Sequence, residues 1–150
     1  MKAPTLQPQS ARKGVAPEMN SAYVQKLSRM VDCKTVWTHE GENEGEFQKF
    51  YGVLEDLFPL LSAKAKKLTF GGGCFVYVIE GKNAEKNFLL MSHHDVVEGS
   101  EDWHTDPFRA VEKDGYLYGR GTIDTKTPLF AELQAAEELL AEGYEFEGIN

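Results

Sequence analysis

His93 and Asp95 stand two positions apart in the string Ser92-His93-His94-Asp95, directly after the apolar run Phe88-Leu89-Leu90-Met91. On an extended chain alternate residues point to the same side, so an imidazole and a carboxylate share one face and His94 takes the other. That pairing suits a metal-ligating histidine. One ring nitrogen binds zinc at about 2.0–2.1 Å, and the other donates to a carboxylate that fixes the tautomer and raises basicity. The same string also reads as a solvated turn after a strand, and spacing alone does not choose between the two. A second constellation, Tyr118-Gly119-Arg120-Gly121-Thr122-Ile123-Asp124-Thr125-Lys126, sets two glycines around an arginine shortly before an acidic residue that opens a helix. The glycines permit close backbone approach or unusual dihedrals, or merely make a flexible connection. Asp124 reads either as an ordinary N-cap accepting backbone donors or as a carboxylate bridging two cations about 3.5–4 Å apart, as two-metal hydrolytic sites require.

These residues need elements to place them. After Asn20, a cap residue, the apolar positions Val24, Leu27 and Val31 recur at helical spacing, and Phe47, Phe50, Leu54 and Leu57 form a second stripe that Pro59 ends. Short apolar or β-branched runs at 67–70, 74–79 and 87–92, bounded by Gly71-Gly72-Gly73 and Gly81-Lys82-Asn83, predict strands joined by tight turns. The glycine triplet lacks the GK[ST] ending of a phosphate loop and precedes a strand, so it is read as a hairpin turn. The unbroken apolar stretch 88–91 predicts a central strand covered on both faces, with the polar cluster at its C-terminal edge, where open α/β sheets place their ligand sites. Further strands are expected at 108–112 and 115–118 around an Asp114-Gly115 turn. Leu129, Leu133, Ala136 and Leu140 mark one face of a closing helix that Gly143 stops, with Glu138 and Glu142 opposite and Glu132 and Glu137 on its flanks. The expected class is α/β, a mixed central sheet with flanking helices. Residues 1–16 read as a flexible leader and 17–150 as the domain.

One hundred and fifty residues suffice for one domain with a real core. The 16 Lys and Arg against 24 Asp and Glu leave a formal charge of -8, which repels phosphate backbones and anionic lipids, so neither nucleic acid nor a membrane is expected as a partner. No apolar run at the N-terminus could serve as a signal-peptide core and none approaches a membrane span; the expected location is the cytoplasm. Cys33 and Cys74 lack metal spacing and are expected to be buried, reduced thiols without a functional role.

Taken together, SHHDVVEGSEDWHTDPF and DGYLYGRGTIDTK resemble metallopeptidase family 20, the aminoacylase, carboxypeptidase S and succinyl-diaminopimelate desuccinylase group of co-catalytic zinc hydrolases. The resemblance runs from about Ala22 to Asn150 and includes Lys34-Thr35-Val36. It implies that His93 is a zinc ligand, that Asp95 orients it, that Asp124 bridges two zinc ions, and that the Asp124–Thr125 peptide is cis. Cobalt or manganese would be substitutes for zinc. It also implies a water deprotonated by a glutamate attacking an amide carbonyl, substrates that are small peptides or N-acyl amino acids, and a homodimer in the full-length protein.

Two departures stand out. Glu98 occupies a place where the family commonly has proline. The family's Glu-Glu pair and its remaining metal ligands fall beyond Asn150, so the expectation is an incomplete zinc-peptidase catalytic domain with at most two direct ligands, weak zinc binding and no turnover of its own. Glu137-Glu138 lies in mid-helix, is not that pair, and is expected to be solvated. His104 is expected to be a surface or loop-packing residue and not a ligand, beside Trp103, which with Pro107 and Phe108 packs the loop near the site; His39 carries no signal. A competing reading is a non-catalytic interaction or dimer-forming module with a hydrolase-like fold. A serine hydrolase using Ser92 is discounted, because Ser92 lacks a GxSxG elbow and faces away from His93.

Overall fold

The computed structural model describes residues 21–38, 43–70, 73–83 and 85–149. The leader at 1–16, Asn20 and His39 lie outside them. Helix α1 spans Ser21–Val31, α2 Glu44–Leu57, α3 Pro59–Lys64 and α4 Lys126–Ala141. Strands β1 (Lys66–Thr69) and β2 (Phe75–Val78) form one antiparallel hairpin, and β3 (Val111–Lys113) and β4 (Tyr116–Tyr118) a second. Their registers pair Thr69 with Phe75 and Lys113 with Tyr116. The second hairpin turns on Asp114 and Gly115, both at positive φ, as the Asp-Gly pair predicts. Parallel pairing is present as two isolated bridges, Val36 with Val96 and Asn87 with Ile149, so the extended segments pair in both senses.

The core is mostly helical. Met30 from α1 and Cys33 just after it, Phe50, Leu54, Leu57 and Phe58 from α2 and its end, Leu61 from α3, and Leu129, Phe130 and Leu133 from α4 pack in one cluster that Ile79 joins. The stripe foreseen on α2 is buried throughout; of the one on α4, Leu129 and Leu133 are buried and Ala136 and Leu140 pack against the core partly buried. Fully burying each such side chain contributes about 1.5–3 kcal/mol. Cys33 is buried as expected, and burial pushes its thiol pKa up; Cys74 was expected to be buried too but is exposed, in the turn just before β2. Glu46 ties the start of α2 to the chain after α1 by accepting from the Lys34 amide at 2.9 Å.

Two further expectations need correction, and one is extended. α2 stops at Leu57, ahead of Pro59 as expected; the chain turns at Phe58, and Pro59 then opens a further helix, α3, at the first helical position, where its fixed φ fits and its missing N–H costs nothing. Glu137 is not solvated. It is 8% exposed, and its two carboxylate oxygens accept from the amides of Leu60 at 3.0 Å and Leu61 at 2.8 Å, so a side chain of α4 caps the free N–H groups of α3. Phe58, at the cap position, supplies no such bond itself. The segment 87–92 is extended but is not a covered central strand. Its one bridge is Asn87 to Ile149, with the Phe88 amide donating to Ile149 at 3.0 Å. Phe88, Leu89, Leu90 and Met91 are 61, 76, 51 and 85% exposed. An apolar run requires a cover without supplying one, and among the described residues no strand flanks it on either side.

Glu137→Ala removes an acceptor from two helix-terminal amides in a buried site. The unfolding free energy is expected to fall by about 1–3 kcal/mol in a urea titration; an unchanged midpoint would mean that water replaces the carboxylate without loss.

Candidate metal centre

The chain from Ser92 to Val97 alternates as a half-covered strand should. Ser92, His94 and Val96 turn inward, while His93, Asp95 and Val97 turn outward. The inward residues anchor it. Val96 donates its amide to the Thr35 carbonyl at 2.9 Å, and the Thr35 hydroxyl donates to the His94 carbonyl at 2.5 Å. The His94 ring stacks on Phe50 at 5.2 Å between centroids and meets Phe47, Tyr51 and Phe75 edge-on or tilted. Burial lowers its pKa to about 4, so this imidazole is a neutral packing element at ordinary pH. The Ser92 hydroxyl donates to Glu132 on α4 at 2.9 Å, away from His93.

The outward residues meet Asp124. His93 Nε2 lies 2.9 Å from Asp124 Oδ1, and His93 Nδ1 lies 3.3 Å from Asp95 Oδ1 and 3.1 Å from the Asp95 carbonyl. One imidazole therefore has a carboxylate at each ring nitrogen. Its partial burial works against the charged form, but the Asp124 hydrogen bond, the Asp95 carbonyl and the two negative charges outweigh that, and the His93 pKa is raised above its ordinary 6.5. The three side chains line a cavity of about 240 Å³ with Val96, Trp103 and Arg120 among its walls, and all three are reachable from solvent, Asp124 at 80% exposure.

Asp124 reaches this position through a turn between β4 and α4. The Asp124–Thr125 peptide is cis. Asp124 is not the cap of α4: that place is held by Thr125, whose side chain makes no cap bond. Instead the Thr125 hydroxyl donates to the His93 carbonyl at 2.8 Å and faces the His93 amide at 3.2 Å, fastening the two candidate ligands through the backbone. Gly121 has φ +92°, and a Cβ there would lie 2.9 Å from Val96 Cγ1, so only glycine lets the turn press against the His93 segment. Lys126 then runs inward. Its fully buried ammonium donates to the carbonyls of Met30 at 3.0 Å and Cys33 at 2.8 Å and sits 5.2 Å from the Phe50 ring centre. Burial lowers its pKa to about 8.

Thr35, Thr125 and Lys126 were not singled out by sequence as positioning residues. The one signal for the last two was their place in the GRGTIDTK string. His104 is exposed, as expected. An imidazole nitrogen and carboxylate oxygens fit zinc in donor type, and Asp95 fits the orienting partner that ligating histidines have at the other nitrogen. The fit is partial in number: among the described residues no group of three or more His, Cys, Asp or Glu side chains is arranged to hold an ion.

Residues 89–149 match the model of peptidase family M20/M25/M40. The chain is 32% identical over 136 residues to an N-fatty-acyl-amino acid synthase/hydrolase of Danio rerio, covering 87% of this chain and 26% of that protein. A Bos taurus protein of the same description is 40% identical over 132 residues, with 85% and 26% covered. A carboxypeptidase S-like protein of Dictyostelium discoideum is 33% identical over 101 residues, with 66% and 21% covered. The crystal structure of human carnosine dipeptidase 1 superposes with a TM-score of 0.57 at 22% identity over 86% of this chain and 31% of that one, a likeness of fold. The chain spans about a quarter of the length of the curated relatives it matches.

Lys126→Met keeps the volume but leaves the Met30 and Cys33 carbonyls without their donor. The expected outcome is a loss of about 1–3 kcal/mol in chemical unfolding; equal or greater stability would mean that the buried charge costs more than its hydrogen bonds return.

Proposed function

We propose, from the match of segment 89–149 to peptidase family M20/M25/M40, that the chain is part of a zinc-dependent hydrolase of amide bonds, with His93 and Asp124 as metal ligands and Asp95 as the carboxylate that orients His93. The observation that carries the reading is the carboxylate at each nitrogen of one imidazole. With zinc bound, Asp95 would hold the proton on Nδ1 and leave the Nε2 lone pair for the metal, in place of the Nε2–H···Asp124 hydrogen bond that the ring makes without metal. Asp124 brings two oxygens to the same point, which suits a ligand shared between two cations. The Thr125 hydroxyl, bonded to the His93 carbonyl, keeps that carboxylate opposite the ring. Zinc held there would supply Lewis-acid polarisation of the substrate carbonyl and a lowered pKa for water.

The substrates proposed are small peptides or N-acyl amino acids. The relatives described as N-fatty-acyl-amino acid hydrolases and carboxypeptidase S-like proteins support that class, and so does a solvent-open cavity of a size to admit one amide group and its neighbours. A non-catalytic module has no use for a carboxylate at the second nitrogen, so the pairing favours the hydrolase reading. Two direct ligands are fewer than the three protein ligands hydrolytic zinc sites use. The 150 residues alone are therefore proposed to bind zinc weakly and to hydrolyse nothing.

Calorimetric titration of this chain with zinc tests both statements. Weak binding is expected, lost in His93→Asn and in Asp124→Asn, and weakened about 10- to 100-fold in Asp95→Asn. A stoichiometric two-zinc complex, or metal-dependent turnover of N-acetyl amino acids, would overturn the partial ligand set; binding indifferent to all three substitutions would overturn the assignment.

A further inference from the structure

Arg120 stands on a turn that leaves no room on either side. A Cβ on Gly119 would lie 2.5 Å from Val31 Cγ1 of α1, and one on Gly121 2.9 Å from Val96. The turn is thus wedged between a helix and the His93 segment, and Arg120 is its one long side chain. Three contacts carry it across to the loop 98–107. Its amide donates to the Pro107 carbonyl at 2.6 Å, its Nη2 donates to the Glu98 carbonyl at 3.0 Å, and its guanidinium carbon sits 5.1 Å from the Trp103 ring centre. Trp103 and Arg120 both line the cavity that holds His93 and Asp124.

We propose that Arg120 is a positioning residue: it holds the 98–107 loop as one wall of that cavity and thereby fixes the end of the segment that bears His93 and Asp95. The wall is argued from the contacts above; that it encloses a metal centre rests on the preceding reading. Glu98 lies three residues beyond Asp95, separated by the buried Val96 and by Val97, so a loop released at Glu98 is free to move the Asp95 carboxylate against the imidazole. A guanidinium alone can stack flat on an indole and donate in its own plane at once. The Arg120 Nε is buried without a hydrogen-bond partner, a desolvation cost that stacking on Trp103 offsets. Lys34 grips the same loop from the other side, 3.3 Å from the Glu98 carboxylate and 4.7 Å from the Phe108 ring centre. Its ion pair with Glu98 is exposed and so worth little, and the wall depends on Arg120.

The test is read without metal, in a chain carrying Trp37→Phe so that Trp103 is the one remaining tryptophan. Arg120→Met is expected to raise acrylamide quenching of Trp103, because the guanidinium that sits over the indole is lost. It is also expected to displace the His93 imidazole nitrogen resonances while the melt stays cooperative, and Arg120→Lys should fall between wild type and Met on both readouts. If Arg120→Met fails to fold, Arg120→Lys carries the test alone. Unchanged quenching would overturn the wall. Increased quenching with unmoved His93 resonances would overturn the positioning role and leave a loop staple. Zinc is then added to the unsubstituted chain: no effect on the His93 ring would count against the metal centre, with the wall already decided by the metal-free readouts.

Discussion

The buried ammonium of Lys126 is the contact on which the geometry turns. It reaches from the first residue of α4 to the carbonyls of Met30 and Cys33 at the end of α1. From that point two short paths lead to the two candidate ligands. Along one, Thr35 and Val36 lie a short turn beyond α1 and pair with the segment 94–96, three residues or fewer from His93. Along the other, Asp124 stands two residues before Lys126. Because both paths begin at one place, His93 and Asp124 are set relative to each other by the C-terminus of a single helix.

Burying a cation is costly unless its protons are used. Here the position offers what an ammonium needs: helix-terminal carbonyls, the negative end of a helix dipole and an aromatic face. The lowered pKa of Lys126 records what desolvation leaves uncompensated. Glu137 repeats the device with the opposite charge, a side chain of α4 satisfying the free amides at the start of α3. The core thus joins its helices partly by charged groups placed at the ends of neighbouring helices, where backbone polarity matches them.

Much of the site was legible in the residues. The shared face of His93 and Asp95, and the opposite face for His94, follow from strand period alone, because that period belongs to the backbone. The meeting of His93 with Asp124 was not legible in spacing, since 31 positions separate them; it came from the family resemblance. Glu137 was misread for a related reason. A helical wheel ranks faces relative to its own axis and is silent about a second helix whose free amides arrive from outside. Thr125 and Lys126 resemble ordinary residues at a helix start, and what makes them otherwise lies 32 and more than 90 positions away. The run 88–91 shows the limit from the other side. Its composition states a need for cover, and composition cannot say what provides it.

The measurement that bears most directly on this account is a zinc-edge anomalous difference map from crystals of the protein grown with zinc. The account predicts a peak bonded to His93 Nε2 and an Asp124 oxygen, with Asp95 still at His93 Nδ1. A peak on Nδ1, or zinc bound without either His93 or Asp124, would contradict it.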